Sequence, residues 1–539
     1  MLKKIIHRVF GTADKAQSSV PKEPLFKAAP LKNTAARIVK ASGLTSAPSK
    51  RDEVPFAVHK INRDLIDDRA IDVVETLQDE GYEAYIVGGA VRDLLLGLAP
   101  KDFDIATDAT PEQVKGLFRR AFIIGRRFRI VHVIYGRGRQ DRGLSEVFEV
   151  STFRANVDHS DAPTVKGNER SQKNQLEGMK HAVDSSGRVL RDNVWGDIAS
   201  DAVRRDFTVN AMYYDPSSEV LVDYHGGMAD AKKKVIRMIG EPADRYREDP
   251  VRIIRAVRFA AKLSKLGFKL EPKTLAPIPK LKKLLDDVPP SRLFDEMLKL
   301  VQTGHSQASI ATLQALGLER GIYPLLDVIV ERAHQPMVQG MLSDTDQRVA
   351  DGKPVAPSYL LACVLWSDVM DGWQARRKDM PAYSAFSALA ESVDAVFEER
   401  IGDVSGRGKL GADMREIWMM QPRFEKRVGS SPHSLVEHVR FRAGFDFLRL
   451  RGQCQLQSNL QSNLQDHATG STDLADLAAW WQDFQDADHA GRMDLIASLK
   501  TQPKPAGEKS SKPRRKRKPK AQVQSLGGSH GDGLHSAGV

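Results

Sequence analysis

Apolar and polar positions change period several times along the chain, and each change marks an element. From Asp64 to Asp79 (DLIDDRAIDVVETLQD), Leu65, Ile66, Ala70, Val73, Val74 and Leu77 recur at helical spacing. Tyr85-Ile86-Val87 is a short apolar run, read as a strand, and Gly88-Gly89 follows as a sharp turn. Val91 to Leu96 is helical again, with Gly97 placed as a C-terminal cap. Asp102 to Ile105 alternates as a strand does. Thr110-Pro111-Glu112-Gln113 carries a capping threonine, a proline at the first helical position and a glutamine that completes a capping box. Within residues 123–136, Phe128, Ile130, His132 and Ile134 share one face, and Arg129, Val131, Val133 and Tyr135 the other. Glu146–Thr152 reads as the antiparallel partner of that strand. Asp201–Met212 reads as a helix with Asp206 and Asn210 on one face, and Tyr224–Met238 as a hairpin turning at Gly226-Gly227. From about Pro242 to about Lys500 the period is helical throughout. The predicted class is α+β: a small mixed-sheet head followed by an all-helical C-terminal half.

Composition sets the boundaries. The 539 residues are enough for several domains. Residues 1–60 lack sustained periodicity and read as a disordered leader. The pattern then divides into 61–215, 216–290 and 291–500, with a helical subdomain boundary near Pro289-Pro290. Residues 155–193 form a polar excursion. Residues 501–539 read as a disordered tail rich in Pro, Gly, Ser and basic residues.

Charge sharpens this picture. Lys+Arg 81 against Asp+Glu 70 gives +11, and residues 509–520 (KSSKPRRKRKPK) supply eight of those charges. A basic arm on a nearly neutral body is suited to a polyanion. The two cysteines, Cys363 and Cys454, have no metal-ligand spacing and read as free thiols in a reducing compartment. No apolar run is long enough to span a bilayer. The apolar stretch in MLKKIIHRVFG is too short for a secretory signal.

Three constellations carry chemistry. On a strand, Asp102 and Asp104 project together, roughly 7 Å apart at Cα. Two adjacent carboxylates are hard ligands for Mg²⁺, and the Gly88-Gly89 turn offers backbone N–H groups to phosphates. Metal-assisted nucleotidyl transfer needs both side by side. In the second, Arg204-Arg205 can neutralise a triphosphate, while Asp206 and Asn210 can hold a ribose hydroxyl. In the third, Asp249 and Arg252 share a helical face and offer an acceptor and a donor fork to one base edge.

An Asp-x-Asp or a Gly-Gly by itself is ordinary surface chemistry. The whole string GGAVRDLLLG…KDFDIAT is more specific. It resembles the nucleotidyltransferase head shared by bacterial poly(A) polymerases and tRNA CCA-adding enzymes. RRDFTVNA at 204–211, EDPVR at 248–252 and SRLFDE at 291–296 are further blocks of that family. The resemblance runs from about Tyr82 to Leu300 and continues more weakly to Ala478-Ala479-Trp480-Trp481 and the tail. GRRFRIVH at 125–132 and the basic C-terminus resemble the poly(A) polymerase branch.

The resemblance implies template-independent addition of AMP from ATP to RNA 3′ ends. It implies two Mg²⁺ ions on Asp102 and Asp104, with Asp206 as the third acidic residue and Glu149, on a neighbouring strand, as its rival. Gly88, Gly89, Arg92, Arg205 and Asn210 are expected around the triphosphate and ribose. Asp249, Arg252 and Arg255 are expected at the base. Arg292 and Glu296 are expected as structural support. The expected partners are single-stranded RNA 3′ ends and ATP, then RNA-decay proteins and a weak peripheral membrane contact. A cytoplasmic monomer that reads no DNA completes the expectation. The alternatives carried beside it are a CCA-adding enzyme and a non-catalytic RNA-binding protein on the same scaffold.

Overall fold

The computed structural model describes residues 50–125, 129–135, 146–155, 164–165, 181–184, 189–380, 384–400, 408–461 and 473–501. The chain divides after Lys50, and all that follows concerns the unit from Arg51. The expected leader up to 49, the Arg126–Phe128 part of the GRRF block and the basic tail lie outside the described residues.

The head is built on an eight-stranded sheet. Its strands are β1 (Asp52–Pro55), β2 (Ala84–Val87), β3 (Asp104–Thr107), β4 (Ala121–Ile124), β5 (Ile130–Tyr135) and β6 (Glu146–Thr152), with β10 (Met212–Asp215) and β11 (Val220–Asp223). Their order is β1-β11-β10-β2-β3-β6-β5-β4. Of its neighbouring pairs, β3 with β6 is parallel and the others are antiparallel. The leader therefore ends earlier than residue 60, because Asp52–Pro55 pairs with β11.

Central strands are covered on both faces, which is why β2 reads as an unbroken apolar run. On one side Ile86, Ile105, Val131, Val133, Phe148 and Val150 pack with the helix Asp68–Asp79. On the other, Tyr85, Val87, Ala106, Tyr213 and Val222 pack with Phe153 and with Ile198 and Ala202 of the helix Ile198–Arg204. The first helix starts later than Asp64: Arg63–Leu65 is a 3₁₀ turn, and Asp67 caps the helix by accepting from the Arg69 N–H. The Thr110–Gln113 capping box forms as expected.

Two sequence expectations give way. The expected helix Asp201–Met212 stops at Arg204. Phe207 is fully buried and forms an isolated bridge to Met238, and Thr208–Asn210 is a 3₁₀ turn. Burial of that ring overrides helical propensity. The hairpin is β10–β11 rather than Tyr224–Met238, and Gly226 instead caps the helix Gly227–Lys233. Within 155–193, β7 (Thr164–Val165), β8 (His181–Asp184) and β9 (Val189–Asp192) form a three-stranded sheet, and other parts of that stretch lie outside the described residues.

Beyond the head, β12 (Val235–Ile236) and β13 (Lys269–Leu270) pair in parallel, and the elements among the described residues from there to Thr501 are helices. One apolar cluster runs from Phe207 through Ile253, Phe294 and Leu360 to Leu450, so Pro290 opens a helix without interrupting the core. A second cluster gathers Phe424, Phe441, Trp480 and Trp481. Among the described residues no helix is long and apolar enough to cross a membrane, and both cysteines are free.

Candidate active site

The register of the sheet assembles the acidic centre. Val87, the last residue of β2, is the antiparallel partner of Asp104, the first of β3. Gly88 therefore emerges directly beside Asp104. It adopts φ +82, and a Cβ there would stand 3.8 Å from both Asp104 Oδ2 and Arg205 Nη1. Glycine meets both demands, the backbone angle and the close approach.

Asp102 lies in the lead-in to β3 rather than within it. The alternation nevertheless persists: Asp102 and Asp104 are exposed, and Phe103 and Ile105 are buried. Across the sheet, Asp104 is the register partner of Glu149 on β6, and Glu149 is the partner of His132 on β5. Paired residues project to the same face, so the three side chains form a row. The His132 imidazole stands 3.2 Å from Glu149 Oε1. Crowding out of water, then repulsion from Glu149 and Asp102, raises the Asp104 carboxyl, and Arg205 and Lys262 oppose the rise. Neither Asp102 nor Asp104 has a hydrogen bond or ion pair among the described residues.

Arg205 is held beside this centre. Its Nη2 donates to Asp201 Oδ2 at 2.9 Å and its Nε to Tyr213 Oη at 3.1 Å, with the guanidinium over the Tyr213 ring. Burial works to raise Asp201, but Arg205 and Tyr213 bring it below the usual carboxylate range. Asp201 and Tyr213 were not singled out in the sequence, although the i,i+4 spacing of Asp201 and Arg205 was visible.

Arg92, expected at the triphosphate, is instead fully buried. Its Nη2 donates to Asp93 at 2.6 Å and its Nη1 to Asn210 Oδ1 at 2.7 Å. Arg92 and Asn210 thus brace the base of the glycine turn. Asn210 no longer shares a face with Asp206, because the helix between them is absent.

Asp206 faces the neck. It accepts from Arg252 Nε at 2.9 Å and from Arg255 Nη1 at 2.8 Å. Burial alone would raise it; the two guanidinium groups, Arg255 first, bring it down. Arg252 Nη1 also donates to Glu248 and to the Arg245 carbonyl, while no partner of its Nη2 occurs among the described residues. Asp249 is bound by Arg292 at 2.8 Å, not by Arg252. Glu296 is buried, with Lys299 at 3.0 Å and Arg255 and Arg258 at 3.6 and 3.5 Å. Arg292 and Glu296 are thus both engaged in ion pairs within the neck. Arg245 Nη2 donates to the carbonyls of Val203, Arg204 and Arg205, tying the neck to the segment before Asp206. The structure thus gathers Gly88, Gly89, Asp102, Asp104, Glu149 and Arg205 at the head, and Asp206, Asp249, Arg252 and Arg255 at the neck.

Comparison with known proteins matches three segments of the chain. The poly A polymerase head domain matches residues 84–237. A "probable RNA and SrmB-binding site of polymerase A" matches 267–329, and the polymerase A arginine-rich C-terminus matches 381–521. Poly(A) polymerase I of Salmonella typhi is 38% identical over 469 residues, covering 86% of this chain and 92% of that protein. Poly(A) polymerase I of Haemophilus influenzae is 38% identical over 83% of this chain and 91% of its own. The CCA-adding enzyme of Bacillus subtilis is 37% identical over 245 residues, 46% of this chain and 53% of that protein. The solved Bacillus stearothermophilus CCA-adding enzyme in complex with CTP aligns with 80% of this chain and 98% of its own at 22% identity and a TM-score of 0.39.

Proposed function

This chain belongs to the poly(A) polymerase I family, and we propose that it is a template-independent polynucleotide adenylyltransferase, transferring AMP from ATP to RNA 3′ ends in the cytoplasm. The observation that carries this reading is the reach of the similarity. Poly(A) polymerase I relatives align along most of the chain, whereas CCA-adding relatives align along less than half of it.

Asp102, Asp104 and Glu149 are the residues that would hold Mg²⁺. The fit rests on the donor set: hard carboxylate oxygens, two of them without protein partners, beside a glycine turn. No group of three or more His, Cys, Asp or Glu side chains among the described residues already stands in ligating geometry. When bound, magnesium lowers the pKa of the RNA hydroxyl and stabilises charge at the α-phosphate and on pyrophosphate.

The chain's own residues do the rest. Gly88 and Gly89 let the backbone approach the triphosphate closely, and Arg205, held by Asp201 and Tyr213, offers it a fixed positive charge. Asp206 is a positioning residue in this reading, and Glu149 takes the post of third carboxylate. By fixing Arg252 and Arg255, Asp206 leaves Arg252 Nη2 to donate to the adenine edge.

The test is direct. Pure protein, a short RNA, Mg²⁺ and each nucleoside triphosphate in turn should give long tails with ATP and little with CTP, GTP or UTP. Addition of C, C and A to a truncated tRNA, followed by arrest, would replace this reading with the CCA one.

A further inference from the structure

The helix Val251–Leu263 carries a basic stripe. Arg252, Arg255, Arg258 and Lys262 are three, three and four residues apart and so share one face. The opposite face, with Ile253, Ile254, Ala256, Val257 and Ala261, is buried. The three arginines each have carboxylate partners: Asp206 and Glu248, Asp206 and Glu296, and Glu296. Lys262 has no hydrogen bond or ion pair among the described residues, and its side chain is exposed.

Neither acid near Lys262 is paired with it. Crowding by the protein lowers its ammonium most, then repulsion from Arg92 and Arg258, while Asp93 and Asp102 oppose the fall. Asp93 is taken by Arg92, and Asp102 belongs to the acidic pair. Two further cations and an imidazole gather here. Lys101 precedes Asp102 directly, and Lys265 lies on the 3₁₀ turn that follows the helix. His305, at the start of the helix Ser306–Ala315, is held toward its neutral form, by burial first and then by Lys262, Lys265 and Lys101. Its Nδ1 is buried and unpartnered. The remaining carboxylate at this spot, Asp346, is engaged by the backbone N–H groups of Ser306 and Gln307 at 2.7 and 3.2 Å. Head and neck thus bring Lys101, Lys262 and Lys265 to one place beside Asp102, and the body adds the His305 imidazole.

We propose that Lys262, with Lys101, Lys265 and His305 around it, binds the phosphodiester next to the RNA 3′ end and so holds the attacking hydroxyl beside Asp102. This rests on the adenylyltransferase reading above. The other phosphate in the reaction, the triphosphate, has Gly88 and Arg205 at Asp104. His305 lies within the RNA-binding match at 267–329, whereas Lys101, Lys262 and Lys265 lie outside it.

The probe is an RNA primer whose last phosphodiester is replaced by a neutral methylphosphonate, compared with the native primer. With wild type, the neutral linkage should raise the KM for RNA roughly tenfold, the loss typical of one charge-assisted hydrogen bond. Lys262→Ala should cause a similar rise with the native primer, Lys262→Arg should restore most of it, and the KM for ATP should not move. Lys262→Ala with the neutral primer should show no further loss, because both changes remove the same interaction. Additive losses, a neutral linkage harmless to wild type, or a rise in the KM for ATP instead would each overturn the proposal. Primer anisotropy without ATP separates it from the activity itself. Weaker binding of the neutral primer in a protein that tails nothing would keep the phosphate site and sink the adenylyltransferase reading.

Discussion

Replacing Asp206 with asparagine separates two roles that the sequence alone could not. In the structure its carboxylate receives charge-assisted bonds from Arg252 and Arg255 at 2.9 and 2.8 Å. Arg252 is 11% exposed, Arg255 30% and Asp206 16%, so the trio is largely shielded from water. Breaking a buried ion pair from one side costs about 3–5 kcal/mol, since a charge is left unpaired. Here the full cost is not reached. Glu248 stays on Arg252 at 2.6 Å and Glu296 near Arg255 at 3.6 Å. Asparagine also keeps one oxygen acceptor. A loss of about 2–3 kcal/mol is expected, in line with one charge-assisted bond removed and one weakened.

Urea unfolding followed by tryptophan fluorescence should show it as a lower midpoint at unchanged slope. The pH dependence has a definite sign. Asp206 is depressed in the folded state, so its stabilisation is present above the unfolded carboxylate pKa of about 3.9 and is lost as pH falls through the lower folded value. The difference between Asp206→Asn and wild type should therefore be flat from pH 5 to 8 and shrink only in stronger acid. In kinetics, the loosened Arg252 should raise the KM for ATP and narrow the preference for ATP over CTP, each by roughly tenfold for 1.4 kcal/mol. If Asp206→Asn unfolds like wild type while kcat collapses by orders of magnitude, Asp206 is the third catalytic carboxylate and this reasoning is wrong.

Three further outcomes follow from other parts of the structure. Asp102→Ala, Asp104→Ala and Glu149→Gln should each cut tailing by more than roughly a hundredfold, beyond the effect of an outer partner of a metal site, with the urea midpoint preserved because repelling charges are removed; substantial tailing by any of them removes that residue from the centre. Gly227→Ala should destabilise by about 1–3 kcal/mol, because the new Cβ would meet the Thr208 carbonyl oxygen at 2.3 Å; an unchanged midpoint would show that the 3₁₀ turn after Asp206 yields freely. Deleting residues 502–539 should flatten the salt dependence of RNA affinity by roughly 0.7 in log K per log unit of salt for each phosphate that the arm neutralises in the full-length protein; equal slopes would assign the basic arm to another partner.

What could be read from the sequence was local. The β2–Gly88–Gly89 turn, the alternation from Asp102 to Ile105, and the Thr110 box each depend on residues a few positions apart, and each holds in the structure. What could not be read depends on distant partners. Asp206 is fixed by residues 46 and 49 positions later. The place of Glu149 turns on the one parallel ladder of the eight-stranded sheet, across 45 residues of chain. The two-glycine turn was placed wrongly for a related reason. Gly227 is small because the Thr208 carbonyl passes against it, whereas the real hairpin turns through Pro216–Glu219, with Glu219 at φ +52.

The electrostatics of the two carboxylates explain why ranking Asp206 above Glu149 from its motif was natural and why the geometry favours the reverse. Both Asp104 and Asp206 are crowded by protein, Asp104 while keeping an exposed face, and that crowding alone would raise both. Asp206 has two guanidinium groups on its oxygens and is brought down. Asp104 has Glu149 beside it in the ladder and Asp102 two residues away, and is pushed up. A carboxylate already neutralised by two arginines has little left to offer a cation, and binding one would require breaking both bonds. A carboxylate held against two others is destabilised until a cation arrives. Environments that push like groups apart separate their roles. On that ground the proposed reading groups Asp206 with the arginines of the neck, and Glu149 with the acids that would hold the metal.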